Sequence, residues 1–168
     1  AKSLDDYPST YNFHESRDYV DYTDDIYVGY RYFETIPGAA EKVVYPFGYG
    51  LSYTSFDVET VSAGVVNSNC TSETNKLYAK VRVTNTGKFS GKEVVQVYIA
   101  KPQGKLGKPA KELVAFEKTR ELQPGESQLM ILTWEINDMA SYDDLGKVKK
   151  SAYVLEAGSY DIYLSLIH

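Results

Sequence analysis

From Phe56 onward, apolar and polar residues alternate with a period of two, and this limits the fold more than any other feature of the chain. Leu77, Ala79, Val81 and Val83 alternate with Tyr78, Lys80, Arg82 and Thr84. Such spacing gathers the apolar side chains on one face only if the backbone is an extended strand. Val95, Val97 and Ile99 repeat the pattern, as do Met130, Leu132, Trp134 and Ile136, and then Tyr160, Ile162, Leu164 and Leu166. Asn85-Thr86-Gly87, Lys101-Pro102, Pro124-Gly125 and Ala157-Gly158 supply the turns between them. With apolar runs at 56–66 and 113–116, this predicts about six or seven short strands and no helix among them. Short strands divided by Gly and Pro turns imply an all-β, antiparallel two-sheet sandwich of Greek-key type. Phe56 and Val58 share one phase while Val61, Ala63 and Val65 share the other, which predicts a bulge or a change of sheet near Thr60. The lone Trp134 falls in the apolar phase and is expected in the core.

Residues 1–55 obey no such rule. The chain has 16 tyrosines against six phenylalanines and one tryptophan, and ten of the tyrosines lie at or before Tyr53. This opening segment is rich in Asp, Ser and Gly, lacks amphipathic periodicity and cannot build a core unaided. Left free, its rings would form a large exposed apolar patch, so it is expected to lie on a surface: partly the sandwich, partly a neighbour. Within it, 35–42 reads as a surface loop around Pro37-Gly38, and Gly29, Gly48 and Gly50 read as sites of positive φ or close approach.

At 168 residues the chain suits one ordinary domain with an appendage and falls short of the roughly 250 that a (β/α)₈ barrel needs. A net charge of −5 without any Lys/Arg-rich run argues against nucleic acid and against anionic membrane as partners. No apolar stretch approaches the ~18 residues of a membrane span. The first residue is Ala1, so the chain reads as trimmed from something longer. Cys70 is alone, which excludes an internal disulfide and leaves the compartment, cytoplasmic or secreted, undecided. Asn69-Cys70-Thr71 fits a glycosylation sequon, a triplet short enough to arise by chance.

A catalytic constellation is missing. His14 lies in the aromatic segment and His168 at the last position, poor places to hold a base beside a nucleophile. No nucleophile elbow, phosphate loop or paired metal-ligand spacing occurs, and no pair of acids is singled out for glycoside cleavage. Asp143-Asp144 could suggest Ca²⁺, yet loop carboxylates far more often form turns. No cofactor and no metal are expected.

Two blocks of the opening segment are long enough to carry a resemblance. Asp24-Asp25-Ile26-Tyr27-Val28-Gly29-Tyr30-Arg31-Tyr32-Phe33 and Tyr45-Pro46-Phe47-Gly48-Tyr49-Gly50-Leu51-Ser52-Tyr53-Thr54-Ser55-Phe56 resemble stretches of glycoside hydrolase family 3, the β-glucosidases and β-xylosidases. Lys108-Pro109-Ala110-Lys111-Glu112-Leu113-Val114-Ala115-Phe116-Glu117-Lys118, Leu122-Gln123-Pro124-Gly125-Glu126-Ser127 and Glu156-Ala157-Gly158-Ser159-Tyr160 are similar to the fibronectin type III-like domain of those enzymes. The resemblance implies an immunoglobulin/fibronectin type III-like sandwich over 56–168, preceded by a linker over 1–55 that packs on neighbouring catalytic domains. It also implies retaining hydrolysis of β-linked glucosides or xylosides by the parent. In that family the Asp nucleophile sits on a barrel and the acid/base Glu usually on an α/β sandwich domain, and neither motif is present here. The expected role is therefore accessory and non-catalytic, with the parent's catalytic domains as partners, a homodimer as a further arrangement, and oligosaccharide met only through the parent. The end, Leu164-Ser165-Leu166-Ile167-His168, departs from the family's usual run.

Tyr27, Tyr30, Arg31, Tyr32, Phe47, Tyr49 and Tyr53 are the candidates for interdomain packing. Arg31 among tyrosines can stack on a ring or pair with a carboxylate. The alternative is a carbohydrate-binding module, for which Tyr78, Tyr98 and Tyr163, in the outward phase of their strands, are the candidate sugar-stacking rings.

Overall fold

The alternating segments pair as antiparallel strands. The computed structural model describes residues 1–12, 16–66 and 76–167 of the chain; His14, His168 and the 69–71 sequon with Cys70 lie outside them. Among the described residues the strands are β1 (Phe56–Val65), β2 (Lys76–Asn85), β3 (Val94–Ala100), β4 (Glu112–Lys118), β5 (Ser127–Glu135), β6 (Ser141–Asp143), β7 (Ala152–Val154) and β8 (Asp161–Ile167). One three-stranded sheet has the order β1-β2-β5 and the other β4-β3-β8, with β6 and β7 forming a small hairpin. The fold is the all-β antiparallel sandwich that the period implies. The two extra strands, β6 and β7, escape a periodicity reading because three residues are too few to show a period.

Ala79, Val81 and Val83 of β2, Val95, Val97 and Ile99 of β3 and Met130, Leu132 and Trp134 of β5 form the core. Trp134 is buried. The phase slip in β1 is a bulge: Thr60 pairs with Val81, but Ser62 pairs with Lys80, leaving Val61 as the extra residue. Phe56 and Val58 thus share the inner face with Ala63 and Val65 despite their opposite parity. Ile136 is not strand. It opens a 3₁₀ turn (Ile136–Met139) because the Asp138 carboxylate accepts the Glu135 N–H at 3.0 Å and closes the turn on itself.

The tyrosine-rich segment is not wholly irregular. It holds a 3₁₀ turn (Leu4–Asp6), a helix α1 (Tyr30–Thr35) and a second 3₁₀ turn (Ala39–Lys42), so the expected loop over 35–42 instead buries Ala39 in a helical turn. Elements of three to six residues are shorter than two helical turns, which is why no amphipathic period announces them.

Candidate functional site

The segment before β1 meets the sandwich in two ways. Helix α1 lies on the outer face of the β4-β3-β8 sheet. Gly29 opens it at φ +61°, and Tyr30 then drops onto Tyr98 of β3, ring centroids 5.7 Å apart and edge to face. The Leu113 N–H donates to Tyr30 Oη at 2.9 Å and the Ala110 N–H to Thr35 Oγ1 at 2.8 Å. Arg31 stands 3.8 Å from Glu112, whose other oxygen is 2.5 Å from Lys101 Nζ. Lys111 pairs with Glu34 at 3.4 Å. Phe33 is buried against Tyr7 and Tyr32.

Tyr98 corrects the sequence reading. It is in the outward phase but buried, because α1 covers that face, and its hydroxyl donates to Gln96 Oε1 at 2.7 Å. Burial, with the nearby Tyr30 and Glu34 adding to it, pushes its pKa up to about 12. The three candidate sugar-stacking rings do not assemble either. Tyr78 belongs to the β1-β2-β5 sheet, whereas Tyr98 and Tyr163 are register partners on the other. Tyr163 is exposed, with Lys111 Nζ 5.5 Å from its ring centre.

The second junction is the chain entering β1. The Thr54 hydroxyl donates to Asn85 Oδ1 at 2.8 Å, and the Thr86 N–H donates to Ser55 O at 2.8 Å. Asn85 is fully buried; its amide donates to Phe89 O and Leu122 O at 2.8 and 2.9 Å. Gly87 sits so close that a Cβ there would lie 2.1 Å from Thr54 Oγ1.

Between these two anchors runs the second aromatic block. Phe47 stacks on Tyr30 at 5.0 Å, and Tyr45 packs on Tyr49 at 4.8 Å. Gly48 and Gly50 both adopt positive φ, one on each side of Tyr49. Leu51 is 89% and Tyr53 93% exposed, and Tyr45, Phe47 and Tyr49 are about half so. Of the seven docking candidates, then, Tyr27, Tyr30, Arg31 and Tyr32 are partly covered, and Phe47, Tyr49 and Tyr53 face water. An apolar groove of about 290 Å³ beside Phe47, lined also by Tyr7, Phe33 and Val43, continues this surface.

Sequence reasoning missed the buried Lys108–Glu156 pair. Lys108 Nζ donates to Pro102 O at 2.8 Å and to the Glu156 carboxylate, which also accepts the Lys105 N–H at 2.7 Å. Lys108, then the Lys105 amide, hold the Glu156 carboxyl below the usual range. Asp143 is buried and accepts the N–H groups of Gly146, Lys147, Val148 and Lys149 at 2.7–3.0 Å. Burial alone would raise its pKa, but the four amides outweigh it and lower it. Both carboxylate oxygens are committed to the loop's own backbone. Doubled Lys-Pro at 101–102 and 108–109 was the only local signal, and it does not reveal partners some 48 residues away.

Residues 93–165 match the fibronectin type III-like domain family. Over nearly its whole length the chain is also similar to β-glucosidases. It is 60% identical to β-glucosidase A of Butyrivibrio fibrisolvens across 98% of the chain, and 21% of that relative. A solved β-glucosidase from Paenibacillus barengoltzii superposes with a TM-score of 0.88 at 51% identity, over 97% of this chain and 17% of the other. Over nearly its whole length the chain matches a region of glycoside hydrolase family 3 enzymes, the region bearing a fibronectin type III-like domain. A Bifidobacterium adolescentis β-glucosidase of that family superposes at a TM-score of 0.78 and 31% identity, over 96% of this chain and 22% of the other. The chain spans about a fifth of the length of such relatives, as a part of a larger, multidomain protein does.

Proposed function

We propose that residues 1–55 form a docking segment and 56–168 its fibronectin type III-like support, a non-catalytic accessory unit bracing the catalytic domains of a β-glucosidase. The parent's reaction on this reading is retaining hydrolysis of β-linked glucosides or xylosides, carried out by residues outside this chain. The observation behind it is the 45–53 stretch, held at one end by the Tyr30–Phe47 stack and at the other by Thr54 on Asn85, yet exposing Phe47, Tyr49, Leu51 and Tyr53. Aromatic rings on a fixed backbone lose little conformational entropy on docking and suit the centre of an interface.

The test uses the whole parent enzyme carrying Leu51→Ser with Tyr53→Ser. The expected result is a lower temperature of activity loss with aryl β-glucosides, while the same pair leaves the melting of the 168-residue chain unchanged. Unchanged heat inactivation of the parent refutes the docking role, and β-glucoside turnover by the 168-residue chain alone refutes the non-catalytic one. Sedimentation of that chain reads whether the exposed stretch instead pairs two copies.

A further inference from the structure

Three distant parts of the chain meet around a cavity of about 410 Å³: residues 25–31 leading into α1, the loop from β3 to β4, and β6 with the turns on either side of it. Its walls are held in place. One Glu112 oxygen lies 2.5 Å from Lys101 Nζ, which is almost wholly buried and also donates to Ala140 O at 3.2 Å. The Asp143 carboxylate, by accepting four amides, pins the loop that carries Asp144, Leu145 and Lys147. Arg31 stands 3.8 Å from the other Glu112 oxygen, beyond hydrogen-bond reach, so this pairing uses none of the guanidinium N–H donors. Backbone strain gathers here as well. Among the described residues only Asp25 (φ +49°) and Ser151 (φ +57°) hold positive φ without being glycine. Asp25 lines the cavity, and Ser151 donates its N–H to Asp143 O at 2.7 Å, closing the hairpin that forms one wall.

The charges of the lining cancel. Arg31, Lys101 and Lys147 are matched by Asp25, Glu112 and Asp144. A free anion or cation would meet repulsion from half of them. A sugar hydroxyl both donates and accepts, so neighbouring hydroxyls can span a carboxylate and a guanidinium together. Tyr27 and Tyr142 add aromatic rings to the wall; Tyr142 is 53% exposed and braced by Tyr153, ring centroids 5.2 Å apart. A preformed cavity of this size, with apolar ring surface and a few convergent polar groups, suits a small polar molecule. We propose that it is a non-catalytic binding site for a neutral mono- or disaccharide, with Arg31 and Glu112 on vicinal hydroxyls and Tyr142 against the sugar ring. Tyr78, Tyr98 and Tyr163 play no part in it, and none of residues 45–53 lines it, so the site is separate from the bracing role.

Saturation-transfer NMR on the 168-residue chain tests it, with glucose, xylose and cellobiose as neutral probes and glucuronate and glucosamine as charged counterparts. Transfer to at least one neutral sugar is expected, with weaker binding of both charged ones. Binding of glucuronate or glucosamine as tight as that of the neutral sugars overturns the proposal, and so does the absence of transfer to any neutral probe. Tyr142→Ala is expected to weaken binding by about fivefold or more while melting stays unchanged. Should that variant melt earlier, Tyr142→Leu keeps apolar packing on Tyr153 and removes only the aromatic ring. Arg31→Gln gives a second reading of the same kind from the opposite wall. Transfer that neither the Tyr142 nor the Arg31 variant reduces comes from contact elsewhere and refutes the site. Leu51→Ser with Tyr53→Ser leaves sugar binding unchanged, so failure here and failure of the docking reading are separable.

Discussion

The sandwich and the segment that precedes it are held by different forces. In the two three-stranded sheets, long antiparallel ladders and a shared apolar phase secure the strands many times over, and losing one contact leaves its neighbours in place. The 1–55 segment is fastened at a few points: Tyr30 to Leu113, Thr35 to Ala110, the Arg31–Glu112–Lys101 pairs and Thr54 to Asn85. Each depends on one side chain of the segment. Such a segment takes its shape from what it lies on, and its uncovered side stays available for another surface.

Substitutions on either side of that divide should behave differently. Trp134→Ala, in the buried core, is expected to cost about 3–5 kcal/mol, read by urea unfolding of the whole chain. A loss confined to the first 55 residues would break the comparison. Gly87→Ala should cost about 1–3 kcal/mol, because the new Cβ meets the Ser55 backbone N at 2.6 Å as well as the Thr54 hydroxyl. Its expected signature is faster proteolysis around residues 50–56, where the segment enters β1.

Tyr30→Phe removes the acceptor of one hydrogen bond and should cost about 1 kcal/mol. Faster exchange of the Leu113 amide and easier cleavage near α1, with β2 and β5 exchange unaltered, would sharpen the distinction.

Acid titration probes the buried charges. Lys108 and the Lys105 amide keep the folded pKa of Glu156 below its unfolded value, about 4.3, so its contribution is complete above that pH. It is lost as pH falls through the lower folded value. Glu156→Gln should therefore lower melting at neutral pH and flatten its fall below about pH 4, measured by thermal melts across pH. The smallest effect belongs to Tyr53→Ser: at 93% exposure it should shift the unfolding free energy of this chain by less than about 0.5 kcal/mol.

Particular residues show how far local pattern reached. The parity of Phe56 and Val58 against Ala63 and Val65 announced the bulge, because a strand's faces alternate strictly and an extra residue must show as a slip. The parity of Tyr98 misled, because alternation reports only which side of the sheet a residue takes, not whether something covers it. Asn85 reads as a turn residue, and it is one, but its grip on Leu122 and Thr54 joins places 37 and 31 residues distant. Lys108 with Glu156 is invisible for the same reason, whereas Asp143 grips amides three to six residues on and forms the turn that its loop position suggested.

Sequence alone determined the faces of the long strands, the turns, the slip in β1 and the part of the core that β2, β3 and β5 supply, since each follows from a periodicity of two or from a residue with restricted φ. Tertiary structure decided which outward positions are covered, where the buried lysines find their counter-charges, and which aromatic residues of the opening segment remain in water. Those outcomes depend on elements distant in the chain meeting in space, and the energy of such a meeting is written in no single stretch of it.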